Sequence, residues 1–268
     1  MPARRLRRDD DIEASLQDLT ERPDLRGAVD RLVAENMPPF LTWASPGNWR
    51  WHRLYSRLAA YQVVVVGPGD ELLAAMHSVP LSWNGDLAGL PGGYDDAVVS
   101  ATADDAGDDA NVTCLLSISI ARDRRKGGLA ERLIAEAKTR ARARGHVAVL
   151  GPLRPTRKAE FPDVPMAEYL QWRDARGEVF DPWLRLHLEL GARILRVAER
   201  SLVVRQPASR WEGLTGRGAM EPGAHRIEGA LALVTIGADG VGEYAEPNIW
   251  ISHDLAPPGA GVSGEATH

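Results

Sequence analysis

Residues 117–137 read SISIARDRRKGGLAERLIAEA, and this junction limits the possible folds more than any other stretch. An alternating run of isoleucine and serine stops at a basic turn with two adjacent glycines. Beyond it Leu129, Leu133, Ile134 and Ala137 recur at helical spacing. A strand therefore feeds through a tight turn into an amphipathic helix, predicted over 128–144. Unpaired N–H groups and the dipole at a helix start favour an anion, and glycine lets a ligand approach the backbone. Arg125, Lys126, Gly127 and Gly128 thus form a candidate pyrophosphate cradle. A basic turn without a ligand explains the same residues. Neither G-x-x-x-x-G-K-[ST] nor a G-x-G-x-x-G after a strand occurs, which argues against a P-loop or a Rossmann site.

The flanking sequence supplies a sheet for this junction. Helices are predicted over 28–36 and 49–60, then two strands over 62–67 and 71–81 joined as a hairpin by Gly67-Pro68-Gly69. Residues 84–111 are turn-rich and carry the Asp pairs 95/96, 104/105 and 108/109, so they read as an insertion or lid. Strands follow at 111–121 and 146–150, on either side of the helix. A long loop at 154–180 leads to a further helix, and extended segments follow at 193–205, 229–236 and 243–251. This order suits an α/β (α+β) domain, a mixed sheet with helices on both faces, over 26–255. Residues 1–25 read as a charged arm and 256–268 as a flexible tail rich in Pro and Gly.

Composition excludes several classes. A formal net charge of −5 gives no reason to expect nucleic acid, and the basic helix end at 138–144 is accounted for by cations near a helix C-terminus. One cysteine, Cys114, allows neither an intramolecular disulfide nor a cysteine zinc site. No signal sequence or membrane span is legible, so a cytoplasmic protein without a membrane partner is expected. The absence of G-x-S-x-G and H-E-x-x-H argues against a serine or zinc hydrolase, and no metal is expected.

Residues 181–193, DPWLRLHLELGAR, describe a helix with Asp181 as cap, Pro182 at its first position and Gly191 as a left-handed stop. Only His187 is unexplained by that description. A histidine on an apolar stripe is commonly a hydrogen-bonded core residue, and Thr156, after a proline in the long loop, reads locally as a turn residue. Trp49 and Trp51 could wall a pocket.

Taken together, Arg125-x-x-Gly128-x-Ala130, preceded by Ile120-x-Arg122, resembles the R/Q-x-x-G-x-G/A motif of the GNAT acyltransferase superfamily, with Ala130 in place of a glycine. The resemblance implies the GNAT fold, with a central mixed, mostly antiparallel sheet and helices on both faces, over about residues 28–236. It implies that Arg125, Lys126, Gly127, Gly128, Leu129 and Ala130 hold the pyrophosphate of coenzyme A, and that Ile118, Ser119 and Ile120 run along the pantetheine arm. Leu190-Gly191-Ala192 resembles the helix end before which GNAT enzymes commonly carry a tyrosine that protonates the departing thiolate, and His187 occupies that slot. The stretch from Arg154 to Ile194 and the segment EYAEPNIWISH are similar to GNAT-like decarboxylase domains of polyketide synthase loading modules. That likeness implies Thr156 and His187 as the pair flanking a malonyl group.

The reading that the resemblance implies is decarboxylation of a malonyl-type thioester, with or without acyl transfer to a carrier-protein thiol, and amine N-acetyl transfer is the alternative. Acetyl transfer to an amine needs a proton acceptor near the thioester, and the strand at 111–121 supplies Ser117 and Ser119 but no carboxylate, leaving Glu160 and Glu189 as candidates. Decarboxylation of a malonyl thioester needs donors to an enolate and no base. The expected cofactor is acetyl-CoA or malonyl-CoA, and the expected partners are that small-molecule thioester and, for the second reaction, an acyl carrier protein acting in trans. A module that binds coenzyme A without chemistry is the remaining alternative.

Overall fold

The computed structural model describes residues 4–5, 14–104, 109–125, 127–216 and 218–255. Lys126, Asp105, Asp108 and the tail at 256–268 therefore lie outside the described residues. Strand β1 (Arg4–Arg5) pairs with β2 (Ser15–Asp18), and β2 pairs with β3 (Val63–Val66). Part of the expected arm is thus in the sheet, because Ala14, Leu16 and Leu19 are buried beneath their charged neighbours. After β2, α1 (Arg26–Asn36) buries Val29, Leu32 and Val33. The helix expected over 49–60 is broken, with only α2 (His52–Ser56) between two 3-10 turns at Asn48–Arg50 and Ala59–Tyr61.

Next, β3 and β4 (Leu72–Leu81) form the expected hairpin, closed by Gly67 N–H on Glu71 O at 2.9 Å. The acidic stretch after β4 is not a lid. It contains α3 (Tyr94–Ala101), which packs on β4 and on β7 (Arg193–Pro207). Its Asp95, 6% exposed, accepts from Ser45 Oγ, Gly47 N and Val203 N, which ties the start of α3 both to the loop before α2 and to β7.

The central unit is β5 (Val112–Ile120), α4 (Leu129–Ala143) and β6 (Ala148–Leu153). After it come α5 (Met166–Tyr169), α6 (Pro182–Glu189), β7, α7 (Ala208–Thr215), β8 (Gly223–His225), β9 (Val234–Ile236) and β10 (Val241–Asp254). Among the described residues ten strands run β1-β2-β3-β4-β5-β6-β10-β9-β8, with β7 also paired to β10. Their pairings are antiparallel except that of β5 with β6. The valines of β3 alternate between two cores. Val64 and Val66 join residues of α1, α2 and α3, while Val63 and Val65 join Leu129, Leu133 and Ala137 of α4. Each fully buried valine or leucine contributes roughly 1.5–3 kcal/mol. Cys114 is buried in the first of these cores.

Two features open the sheet where a site must lie. Parallel pairing of β5 with β6 covers only Val112–Cys114 against Ala148–Leu150, after which the strands separate. At the same level the β4–β5 register slips between His77/Ser117 and Ser78/Leu115, leaving Leu116 as a bulge. The slip exchanges the faces of β5: Val112, Cys114 and Leu116 share the α1 side, but Ile118 and Ile120 turn toward α4.

Candidate active site

The wedge between the separated strands is a cleft of about 630 Å³, lined by residues 115–120 of β5, residues 150–153 of β6, Asn36, Met37 and Pro38 at the end of α1, and part of α6. Of the residues expected along a thioester, Ile118, Ser119, Ile120, Arg125 and Ala130 line it, together with Thr156 and His187. Gly127, Gly128 and Leu129 do not. Leu129 is 1% exposed, its side chain in the α4 core, which leaves its backbone for the expected contact. Gly128, at φ 69°, is the N-cap of α4 and supplies no side chain to its orphan N–H groups. Arg125 is exposed and donates to Asn36 Oδ1 at 2.9 Å, tying the turn to α1. Exposed Glu131 stands in the first helical turn on the same wall. Ser119 Oγ is buried in the cleft wall without a hydrogen-bond partner among the described residues.

The opposite wall is made by α6. Asp181 accepts from the N–H groups of Trp183 and Leu184 at 3.1 and 3.0 Å, and Pro182 takes the first position, as the sequence predicts. At the other end, Ala192 N–H bonds His187 O and Gly191 N–H bonds Leu188 O, both at 2.9 Å, with Gly191 at φ 84°. This is a Schellman closure, and it fixes the backbone that carries His187. His187 Nδ1 lies 3.0 Å from His253 Nε2 of β10, and both imidazoles line the cleft. Burial lowers His187 to about 3, with further lowering by His253 and Lys138. Burial and Lys138 lower His253 to about 4. The pair is neutral at pH 7, with one ring donating and the other accepting. Thr156 is exposed at the mouth, its hydroxyl 3.5 Å from Asp181 Oδ2.

A third histidine, His77, is 0% exposed and is also lowered to about 3 by burial. These rings bind protons readily only in the unfolded chain, near pH 6.5. Their contribution to stability is therefore complete above that pH and is lost as pH falls toward the folded values. Stability is expected to drop by roughly 1.4 kcal/mol per pH unit per imidazole between about pH 6 and 4. Urea midpoints measured across that range check this, and a flat profile contradicts it.

A second cavity of about 360 Å³ adjoins the first. Met37, Leu116, Ser117, Pro152 and Arg154 line both. Its remaining wall includes Asp30, Asn48, Trp51, Tyr94, Glu246 and Asn248. Glu246 is held by Arg154 at 3.0 Å and by the Tyr244 hydroxyl at 2.9 Å, whereas Asp30 is exposed at the rim. Trp51 walls this cavity, but Trp49 is 70% exposed and walls nothing. Neither Glu160 nor Glu189 lines either cavity. Glu160 pairs with Arg157, and Glu189 is exposed on α6.

Sequence reasoning misses His253, His77 and the whole second cavity. One signal is present: β10 places Glu246, Asn248, Ser252 and His253 in a strand that is otherwise apolar and entirely buried over residues 246–253. Polar groups there need partners or a ligand.

No protein-family model matches the chain. It is 29% identical over 274 residues to the arginine N-acetyltransferase avaD of Aspergillus versicolor, covering 90% of this chain and 94% of that protein. Among solved structures it resembles the loading GNATL domain of CurA from Lyngbya majuscula, with a TM-score of 0.57, 18% identity, and coverage of 90% of this chain and 97% of that one. It also resembles the GphF GNAT-like decarboxylase in complex with isobutyryl-CoA, with a TM-score of 0.57, 16% identity, and coverage of 90% and 99%. With the splayed β5–β6 pair, the bulge and the β5-turn-α4 junction, these likenesses identify the chain as a protein of the GNAT fold.

Proposed function

We propose that the protein is an acyltransferase that takes an acyl group from a coenzyme A or pantetheine thioester in the β5–β6 cleft and passes it to a small amine in the second cavity. The observation that carries this reading is the meeting of two separate cavities across Leu116, Ser117 and Pro152, where a donor and an acceptor can touch. Three features of the cleft fit the thioester. Among the described residues, the edge of β5 beyond Cys114 has no strand partner on the β6 side, which leaves backbone groups for pantetheine amides. Ser119 Oγ is an orphan polar atom on that wall. The start of α4, which has no side-chain cap and has Arg125 beside it, suits a pyrophosphate. Lys126 belongs to the same proposed contact by its place in the motif, with Gly127 and Gly128 giving room.

Asp30 at the rim of the second cavity favours a cationic acceptor, and the similarity to an arginine N-acetyltransferase supports an amino acid of that kind. In this reaction the amine nitrogen attacks the thioester carbon and the thiolate leaves. His187 faces the cleft and is the proposed donor of a hydrogen bond to the oxygen or sulfur on which charge develops.

Malonyl decarboxylation is a second reading, favoured by the presence of Thr156 and His187 on one cleft. Against it, Thr156 is exposed at the mouth of the cleft, with its hydroxyl 3.5 Å from the carboxylate of Asp181. The protein incubated with acetyl-CoA and with malonyl-CoA, each with and without L-arginine, separates the readings when free thiol and CO2 are followed independently. Thiol release that requires arginine and proceeds without CO2 is the expected result. CO2 release from malonyl-CoA that is indifferent to the amine replaces it with decarboxylation.

A further inference from the structure

Behind the junction of the two cavities runs a file of hydrogen-bonded side chains. Ser117 Oγ lies 3.1 Å from His77 Nδ1, and His77 Nε2 lies 3.4 Å from the Tyr55 hydroxyl. That hydroxyl donates to Asp30 Oδ1 at 2.6 Å and accepts from the Trp51 indole N–H at 3.1 Å. The Trp51 ring covers His77 at 4.8 Å between centroids. Ser117 lines both cavities, His77 is fully buried, and Asp30 is exposed. The file thus has one end at the reacting junction, a sealed middle and an outlet to water.

Its polarity follows from the partners. The Tyr55 proton is committed to Asp30, so the phenol oxygen receives Nε2–H of His77, and Nδ1 carries the lone pair that accepts the Ser117 hydroxyl. The two lone pairs of Ser117 Oγ are left for the junction.

We propose that Ser117, His77, Tyr55 and Asp30 form a proton relay that removes a proton from the acceptor amine so that it can be acylated, a role that rests on the acyl-transfer reading. The first proton of the arriving ammonium passes to Ser117 Oγ, which frees the nitrogen to attack; the second, shed as the new C–N bond forms, goes to the departing thiolate as the C–S bond breaks. The Ser117 proton passes to His77 Nδ1, the Nε2 proton to Tyr55, and the Tyr55 proton to Asp30, which releases it to solvent. No atom in the sealed section gains a net charge. This matters because burial holds the imidazole far from protonation, so a stepwise imidazolium there is disfavoured. Ser117 is the catalytic residue of the relay, and His77 and Tyr55 act through it. Asp30 and Arg26 of α1 are the charged groups beside the path, Arg26 donating to Tyr55 O, while Trp51, Tyr55 and Ser117 surround the imidazole.

The test uses the full chain with acetyl-CoA and L-arginine, comparing wild type with Ser117→Ala and Tyr55→Phe across pH, with acetyl-CoA affinity and melting temperature measured for each. The expected result for Ser117→Ala is a kcat about 30- to 100-fold lower at pH 7, within the range of general acid–base effects, with acetyl-CoA affinity within a few-fold. The deficit should shrink as pH rises past the pKa of the amine, which then arrives unprotonated. Tyr55→Phe should show an intermediate loss and a smaller solvent isotope effect than wild type, because fewer protons move. Wild-type pH profiles and isotope effects in both variants overturn the relay while leaving acyl transfer standing. Acetyl-serine found at Ser117 by mass spectrometry overturns it in favour of a covalent route. Absence of amine-dependent thiol release in the wild type removes the acyl-transfer reading and the relay with it.

Discussion

Replacement of Asp181 by alanine is expected to lower stability by about 3–5 kcal/mol, a large share of what a domain possesses. The carboxylate is 1% exposed and does more than cap α6. Its Oδ1 takes the N–H groups of Trp183 and Leu184, and its Oδ2 takes Arg157 N at 2.8 Å and the Tyr169 hydroxyl at 3.0 Å, with the Thr156 hydroxyl at 3.5 Å. Alanine strands these donors in a low-dielectric interior, and each costs about 1–3 kcal/mol when unsatisfied. Loss of a helix cap alone costs about 0.5–2 kcal/mol, so the excess reports the loop contacts. The Asp181→Asn variant keeps one acceptor oxygen and should lose roughly half as much. Urea denaturation at pH 7 measures both. A loss below about 1 kcal/mol for alanine shows that Asp181 is merely a cap. The residue also joins the long loop to α6, so the two site candidates Thr156 and His187 depend on one carboxylate for their relative placement.

That joint separates what is legible in the sequence from what is not. The start and stop of α6 are readable, because Asp181, Pro182 and Gly191 each act on the backbone within one turn. For the same reason the β5-turn-α4 junction and the β3–β4 hairpin are readable, since their signals are local. The bulge at Leu116 is not. It depends on register with β4, and the sequence alternation of β5 gives no hint that Ile118 has changed face relative to Val112. Helix α3 is hidden because its buried apolar face is only Ala97, Val98 and Ala101 among aspartates, with the rest of its anchoring supplied by Asp95 reaching Ser45 and Val203. The second cavity is invisible for a stronger reason. Its walls come from α1, the segment after it, β5, β6, β7 and β10, and no single stretch carries its signature. The His187–His253 pair likewise joins residues 66 apart in sequence.

Removing the imidazole of His187 is expected to have the largest effect on turnover. The ring sits at the C-terminal turn of α6, locked by the Schellman closure, with the Trp183 ring against it at 4.5 Å and His253 on Nδ1. Nε2 is thus the nitrogen left to face the cleft. His187 Nε2 is an N–H when His253 Nε2 donates and a lone pair when His187 Nδ1 donates, and the proposed role requires the first tautomer. Because burial keeps the ring neutral, its role in the proposed reaction is that of an aimed dipole and not of an imidazolium acid. Donors of this kind contribute about 10²–10³ in kcat when charge develops on the group they face. His187→Ala should therefore lower kcat by about that factor while changing acetyl-CoA affinity by no more than a few-fold, because the hydrogen bond strengthens only as the thioester reacts. His187→Gln, which can still donate, should recover part of the loss. The folded value of about 3 also fixes the pH dependence: between about pH 5 and 8 this ring does not titrate, so no inflection in kcat belongs to it. An inflection near pH 6.5, the ordinary histidine value, that vanishes in His187→Ala, or a variant with wild-type kcat, removes His187 from the chemistry and leaves it as a core residue.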